Sequence, residues 1–153
     1  MEKDKLIYIT DSPAETKKIG ELLAKTILEN VAEKKALVLS LRGDLGAGKT
    51  QFVQGFARGL GIKETVNSPT FVILKKYSLA KGSGYRTFYH IDCYRLGSGR
   101  DLEELGVAAI LKDGTNIVAL EWPGVVAKDL PLGDSIEVEF EVRGPKERRI
   151  AFL

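Results

Sequence analysis

Cysteine is almost absent from this chain: Cys93 is the only one among 153 residues. A single thiol excludes a disulfide within the chain, and nothing in the composition points to an oxidising compartment. No apolar run approaches the roughly 18 residues of a membrane-spanning helix, and the charged N-terminus is not followed by the apolar core of a signal peptide. These absences predict a cytoplasmic protein without a membrane partner.

A strong net charge is missing as well. The 23 lysines and arginines nearly balance the 21 aspartates and glutamates, so the formal net charge at pH 7 is only +2. That is too little for nucleic-acid binding by bulk electrostatics. One basic cluster near the C-terminus is either a solvated surface or a contact for nucleotide or RNA; it consists of Arg143, Lys146, Arg148 and Arg149.

The composition is that of an ordinary globular protein, with 44% apolar and 29% charged residues. No internal repeat, low-complexity tract or long linker divides the chain, which predicts one domain over residues 1–153. A helix start is marked by Ser12, which can act as N-cap, and by Glu15, which can complete a capping box. Lys34 and Lys35 are expected to close this helix.

Apolar periodicity predicts the other elements. Helices are expected from residue 49 to about 59–61 and over 102–111. Strands are expected over 6–9, 36–41, 71–77, 86–92, 116–120, 135–143 and 148–153, with a hairpin tip at 81–84. This alternation predicts an α/β fold with a mixed sheet between helices.

Residues 43–50 read Gly-Asp-Leu-Gly-Ala-Gly-Lys-Thr, between a predicted buried strand and a predicted helix. This is the P-loop pattern, in which glycines let backbone amides surround phosphate oxygens at a helix N-terminus. Lys49 can bridge the outer phosphates, and the Thr50 hydroxyl can bind Mg²⁺. The predicted nucleotide-binding residues are Gly43, Asp44, Leu45, Gly46, Ala47, Gly48, Lys49, Thr50 and Gln51. The pattern predicts a three-layer P-loop NTPase with a central mixed sheet flanked by helices.

A P-loop needs a carboxylate at the end of a neighbouring strand to hold magnesium or its waters. Glu121 and Asp92 each follow an apolar strand, and each is either that carboxylate or a solvated strand-end charge. Thr70, in Ser-Pro-Thr, lies where many P-loop proteins have a switch loop, although an ordinary turn is the alternative. His90 alternates with Asp92 along its strand and is either its partner or a structural histidine.

The ordered motifs resemble the TsaE (YjeE) family, and the resemblance covers nearly the whole chain. Its members are small bacterial ATPases that are needed to make threonylcarbamoyladenosine on transfer RNA. The motifs that carry it are Ser12–Gly20, the P-loop, Ser68-Pro-Thr-Phe71 with Tyr77, His90-Ile-Asp-Cys-Tyr-Arg-Leu96, Leu102-Glu-Glu-Leu-Gly106, Glu121-Trp-Pro123 and Leu130-Pro131. One departure is Gln51, where the family usually repeats threonine.

The resemblance implies ATP and Mg²⁺ as cofactors and a role for each matching position. Lys49 and the loop amides would hold the phosphates, while Thr50 and Glu121 would bind magnesium. Asp92 would serve hydrolysis, and Thr70 would lie in a switch segment. It also implies the TsaD and TsaB subunits of the threonylcarbamoyl-transfer assembly as partners, with transfer RNA involved indirectly. The ATP cycle would reset that assembly between turnovers.

Three other functions are compatible with a P-loop. A small-molecule kinase would usually carry an arginine-rich lid, which the sequence does not show. A GTPase would carry Asn-Lys-x-Asp, which is absent from the chain. A nucleotide-binding scaffold without useful turnover stays open, because hydrolysis can depend on partners.

Overall fold

The computed structural model describes residues 5–30, 34–44, 46–66, 74–93, 103–121 and 135–153. Seven strands and three helices lie in these ranges: β1 Leu6–Thr10, α1 Pro13–Leu28, β2 Leu37–Arg42, α2 Lys49–Gly59, β3 Leu74–Ser78, β4 Thr87–Asp92, α3 Val107–Lys112, β5 Asn116–Glu121, β6 Ile136–Val142 and β7 Arg148–Phe152. Within the same ranges, every helix is too short or too polar to cross a bilayer.

The strands form one mixed sheet in the order β1-β7-β6-β2-β5-β4-β3. The four central strands are parallel, since β2 pairs with β5 and β6 and β4 pairs with β5 in that sense. Antiparallel pairs lie on both sides of these four strands: β3 pairs with β4 on one side, and β7 pairs with both β6 and β1 on the other. The predicted mixed sheet is confirmed. Because parallel strands end at the same edge, β2, β5 and β4 bring their carboxyl ends together.

The alternation of side chains along the central strands divides the core into two layers. Leu39 of β2 and Ile117 of β5 pack with α1 and α2 on one face. Val38 and Val118, their neighbours in sequence, pack against α3 on the other face. Strands covered on both faces read as continuous apolar runs, which is why the sequence predicted β2 and β5 well. The three-layer arrangement is confirmed.

Two helix predictions need correction. Helix α1 begins as expected, with the Ser12 hydroxyl accepting from the Glu15 amide at 3.2 Å, but it ends at Leu28, before Lys34 and Lys35. The single helix expected over 102–111 is interrupted, because Gly106 has a left-handed φ of 74° and α3 begins only after it. The first residues of the strand expected over 71–77 lie outside the described part, which begins this strand at Leu74.

Helix α1 packs on the P-loop helix α2 at a distance that only glycine permits. A Cβ on Gly55 would lie 1.9 Å from the Lys17 carbonyl oxygen, and one on Gly20 would lie 2.2 Å from the Phe52 carbonyl oxygen. Real Cβ atoms do not approach backbone this closely, so the two helices touch backbone to backbone. This contact ties the first turn of α2, which carries the phosphate-site residues, to α1.

Gly55→Ala should therefore destabilise the fold even though alanine favours helix by about 1 kcal/mol. Overpacking typically costs about 1–3 kcal/mol. The cost for Gly55→Ala should lie at the upper end of this range, because the added Cβ meets rigid backbone rather than a movable side chain. Urea unfolding should show a clear loss. Gly144→Ala is the matched control, because a Cβ there would meet its nearest neighbour at 3.9 Å; it should change stability by less than about 0.5 kcal/mol. Equal stability of the two variants would contradict the close contact.

Candidate functional site

The loop after β2 has the backbone geometry of a phosphate cradle. Gly43, Gly46 and Gly48 have φ angles of 148°, 80° and 103°, a region that side chains disfavour. Gly48 is the N-cap of α2 and offers no side-chain cap. The amides of the first helical turn therefore face outward without a side-chain partner from the cap, and a bound phosphate would satisfy them.

Lys49 is the buried cation of this site. Its side chain is only 6% exposed, and its Nζ donates to the Gly43 carbonyl at the start of the loop. Burial lowers the pKa of Lys49 to about 8, although the nearby carboxylates of Glu121, Asp92 and Asp44 act in the opposite direction. The three carboxylates therefore do not fully offset the free-energy cost of removing the ammonium from water.

The sheet brings the two predicted carboxylates side by side. Asp92 is paired in register with Glu121 across β4 and β5, and Glu121 is paired with Leu41 at the end of β2. The Cys93 amide donates to the Glu121 carbonyl at 2.9 Å and fixes this end of the pair. Both acids are nearly buried, with 9% and 3% of their surface exposed. A solvated strand-end charge does not describe either of them.

The carboxylate of Glu121 has a buried oxygen without a hydrogen-bond partner among the described residues, which is what a ligand for magnesium requires. The Oε1 atom is buried without a hydrogen-bond partner within the described ranges, although His90 Nε2 lies 3.3 Å away. His90 is fully buried and its ring nitrogens are likewise unsatisfied there. Those ranges contain no group of three or more histidine, cysteine or acidic ligands. Mg²⁺ usually takes one or two carboxylates together with substrate phosphates, and the Oε1 atom of Glu121 could supply one such ligand.

Two features of the site went beyond the sequence prediction. Arg148 of β7 donates from Nε to the Gly46 carbonyl at 3.1 Å, and Thr16 of α1 lies beside Gly48. Thr16 also shares a 2.8 Å hydrogen bond with Thr10, at the end of β1. The basic cluster was visible in the sequence, but its pattern does not show which of the four side chains turns towards the loop.

Two predicted site residues, Leu45 and Thr70, lie outside the described part of the chain, as does Trp122 of the Glu-Trp-Pro motif. Cys93 is buried, and burial raises its pKa to about 12, with further increases from Asp92 and Glu121. It is therefore a core thiol rather than a nucleophile.

The model of one protein family matches residues 10–150, and its description is threonylcarbamoyl adenosine biosynthesis protein TsaE. The match spans the loop, the carboxylates and the arginine at β7. The chain belongs to the TsaE family.

Curated TsaE proteins are similar over most of their length. One from Bacillus subtilis is 39% identical over 96% of this chain and 84% of its own. One from Treponema pallidum is 42% identical over 69% of this chain and 73% of its own. The crystal structure of Bacillus subtilis YdiB aligns with a TM-score of 0.75 and 34% identity, covering 99% of this chain and 86% of that one.

The lowered pKa of Lys49 predicts a pH dependence of folding stability. Between pH 8 and about 10.5 the unfolded chain holds the lysine proton more tightly than the folded chain, so stability rises with pH in this window and not below it. Lys49→Met removes the titration and keeps most of the side-chain volume. The difference in unfolding free energy between wild type and variant should shift in favour of wild type, on the order of 1–3 kcal/mol, from pH 8 to 10. Urea titrations in the absence of nucleotide measure these free energies. A difference that does not change with pH would contradict the lowered pKa of Lys49.

Proposed function

We propose that this chain is a magnesium-dependent ATPase that supports formation of threonylcarbamoyladenosine on transfer RNA. The observation that carries the proposal is the meeting of the glycine loop, one helix and two strands at one edge of the sheet. The glycine loop supplies amides, α2 supplies Lys49, and β4 and β5 supply a pair of nearly buried carboxylates.

Binding would begin with the phosphates. Lys49 would exchange its bond to the Gly43 carbonyl for the outer phosphates of ATP, and the amides of residues 46–51 would surround the inner ones. Leu45 would contribute only through its backbone. In this exchange the ammonium replaces a bond to a neutral carbonyl with charge-assisted bonds to phosphate oxygens.

Hydrolysis would need metal and water at the strand ends. Thr50 and Glu121 would hold Mg²⁺, which when bound offsets the negative charge of the phosphates. Asp92, beside Glu121, would orient a water for in-line attack on the terminal phosphorus and accept its proton; the bond to the bridging oxygen breaks and ADP leaves. Thr70 would contact the terminal phosphate from a switch segment.

The role in transfer RNA modification rests on family membership and on the names of the similar proteins. TsaD and TsaB are the proposed partners, with transfer RNA involved indirectly. The ATP cycle would reset their assembly between turnovers.

Changing either carboxylate to its amide should separate binding from hydrolysis. Glu121→Gln should keep the fold and much of the ATP affinity but lose magnesium-dependent phosphate release, because the amide is a poor magnesium ligand. Asp92→Asn should lose turnover while magnesium still strengthens ATP binding. Phosphate release at saturating ATP measures turnover in both variants, and calorimetric titration with ATP, with and without Mg²⁺, measures binding. Glu139→Gln, at an exposed position of β6, is the matched control and should behave as wild type. Normal turnover in Glu121→Gln would show that Glu121 is not the magnesium ligand.

Turnover should depend on the partners. In P-loop proteins an arginine supplied from outside can raise the rate by about 10³–10⁵-fold, and a partner that holds Thr70 against the terminal phosphate would act in the same direction. We expect slow hydrolysis by the isolated chain and faster hydrolysis with TsaB and TsaD. By linkage, ATP should tighten binding to these partners more than ADP does. Equal rates of hydrolysis with and without TsaB and TsaD, together with association that does not depend on nucleotide, would contradict coupling between ATP and the partners. The assignment of the phosphate site would not be affected by that result.

A further inference from the structure

The basic cluster near the C-terminus separates into two groups. Arg149, which is half-buried, and the exposed Arg143 both lie near Glu141, at 3.8 and 3.5 Å, and form an ion-pair group with it. Arg148 precedes Arg149 on β7 and therefore points to the opposite face of the sheet. That is the face on which Ile150 packs with α1 and α2, next to the phosphate loop.

Arg148 is held at the loop by backbone carbonyls. Its Nε donates to Gly46 at 3.1 Å, and its Nη1 donates to Gly144 and Glu147 at 2.9 Å each. Within the described ranges, no ion pair with a carboxylate accompanies these bonds. A guanidinium keeps its charge at every pH of interest. The positive charge of Arg148 is therefore fixed beside the loop while those of Arg149 and Arg143 are offset.

The bond to Gly46 acts on the shape of the loop. In a trans peptide the carbonyl and the following amide point in opposite directions, so turning the Gly46 carbonyl towards Arg148 turns the Ala47 amide away from it. That amide closes a turn on the Asp44 carbonyl at 3.0 Å. The stem of Arg148 also passes 3.9 Å from the position that a Gly48 Cβ would occupy. Arg148 thus contacts the loop from outside at Gly46 and passes near Gly48.

We propose that Arg148 is a positioning residue for the nucleotide. It sets the plane of the peptide between Gly46 and Ala47, and it adds a second positive charge, after Lys49, to the field that the phosphates enter. The inference rests on the proposed function and assigns one more residue to its site. A residue that only stabilised the turn before β7 would change stability and leave nucleotide affinity alone.

The experiment compares ADP and ATP affinities, by calorimetry with Mg²⁺, for wild type, Arg148→Met, Arg148→Lys and Arg149→Met. Arg149→Met makes the same change at the neighbouring position on the other face. Charge-assisted hydrogen bonds set the expected loss for Arg148→Met at about tenfold or more for both nucleotides. Arg148→Lys keeps the charge but cannot reach the Gly46 carbonyl together with those of Gly144 and Glu147 as a guanidinium does, so its affinity should fall at least about threefold. Arg149→Met should bind as wild type.

Unfolding midpoints without nucleotide are measured in parallel, and affinities are titrated at a temperature at which every variant is folded, so that a loss of affinity reports positioning whether or not the midpoint changes. Wild-type affinity in Arg148→Met, or equal losses in Arg148→Met and Arg149→Met, would overturn the inference. If Arg148→Met does not fold, wild-type affinity in Arg148→Lys overturns it instead. A wild-type chain that binds neither nucleotide would overturn the proposed function itself, and the two failures are thereby distinguished.

Discussion

The burial of the Lys49 ammonium is the constraint on which the rest of the site depends. The side chain lies under the glycine loop, bonded to the Gly43 carbonyl and close to Glu121, Asp92 and Asp44. Burial lowers its pKa, and a buried cation persists only where hydrogen bonds and opposite charges surround it. The loop must therefore curl back to offer its carbonyl, and the carboxylates must converge from two strands. An arriving phosphate chain would complete this arrangement.

The fold meets that constraint through a few rigid contacts. Parallel pairing in register sets Asp92 beside Glu121, next to the strand that leads into the loop. The glycine contact between α1 and α2 fixes the helix from which Lys49 and Thr50 project. The antiparallel strands at the β7 side add Arg148 to the outside of the loop. Sites built on strands and packed helices hold their geometry better than sites on loops alone.

The sequence predicted the parts of this structure that rest on local chemistry. The loop pattern, the buried strands β2 and β5 and the acids at the strand ends all depend on residue type and spacing. The helix over 102–111 was wrong because one left-handed glycine outweighed a helical apolar pattern. The early end of α1 at Leu28 had no strong local signal. The contact of Arg148 with Gly46 joins positions 102 residues apart, and no local pattern distinguishes Arg148 from Arg149, which pairs with Glu141 instead.

The central claim is that this edge of the sheet is a site for a nucleotide together with its metal. Because Lys49 shares the site with three carboxylates, phosphates alone would meet mostly negative charge. Calorimetric titration of the wild-type chain with ATP, in Mg²⁺ and again in chelator, measures this directly. The account predicts saturable binding with Mg²⁺ that is weaker by at least about tenfold in chelator, a difference of about 1.4 kcal/mol. Absence of binding in Mg²⁺, or equal affinity in both conditions, would contradict it.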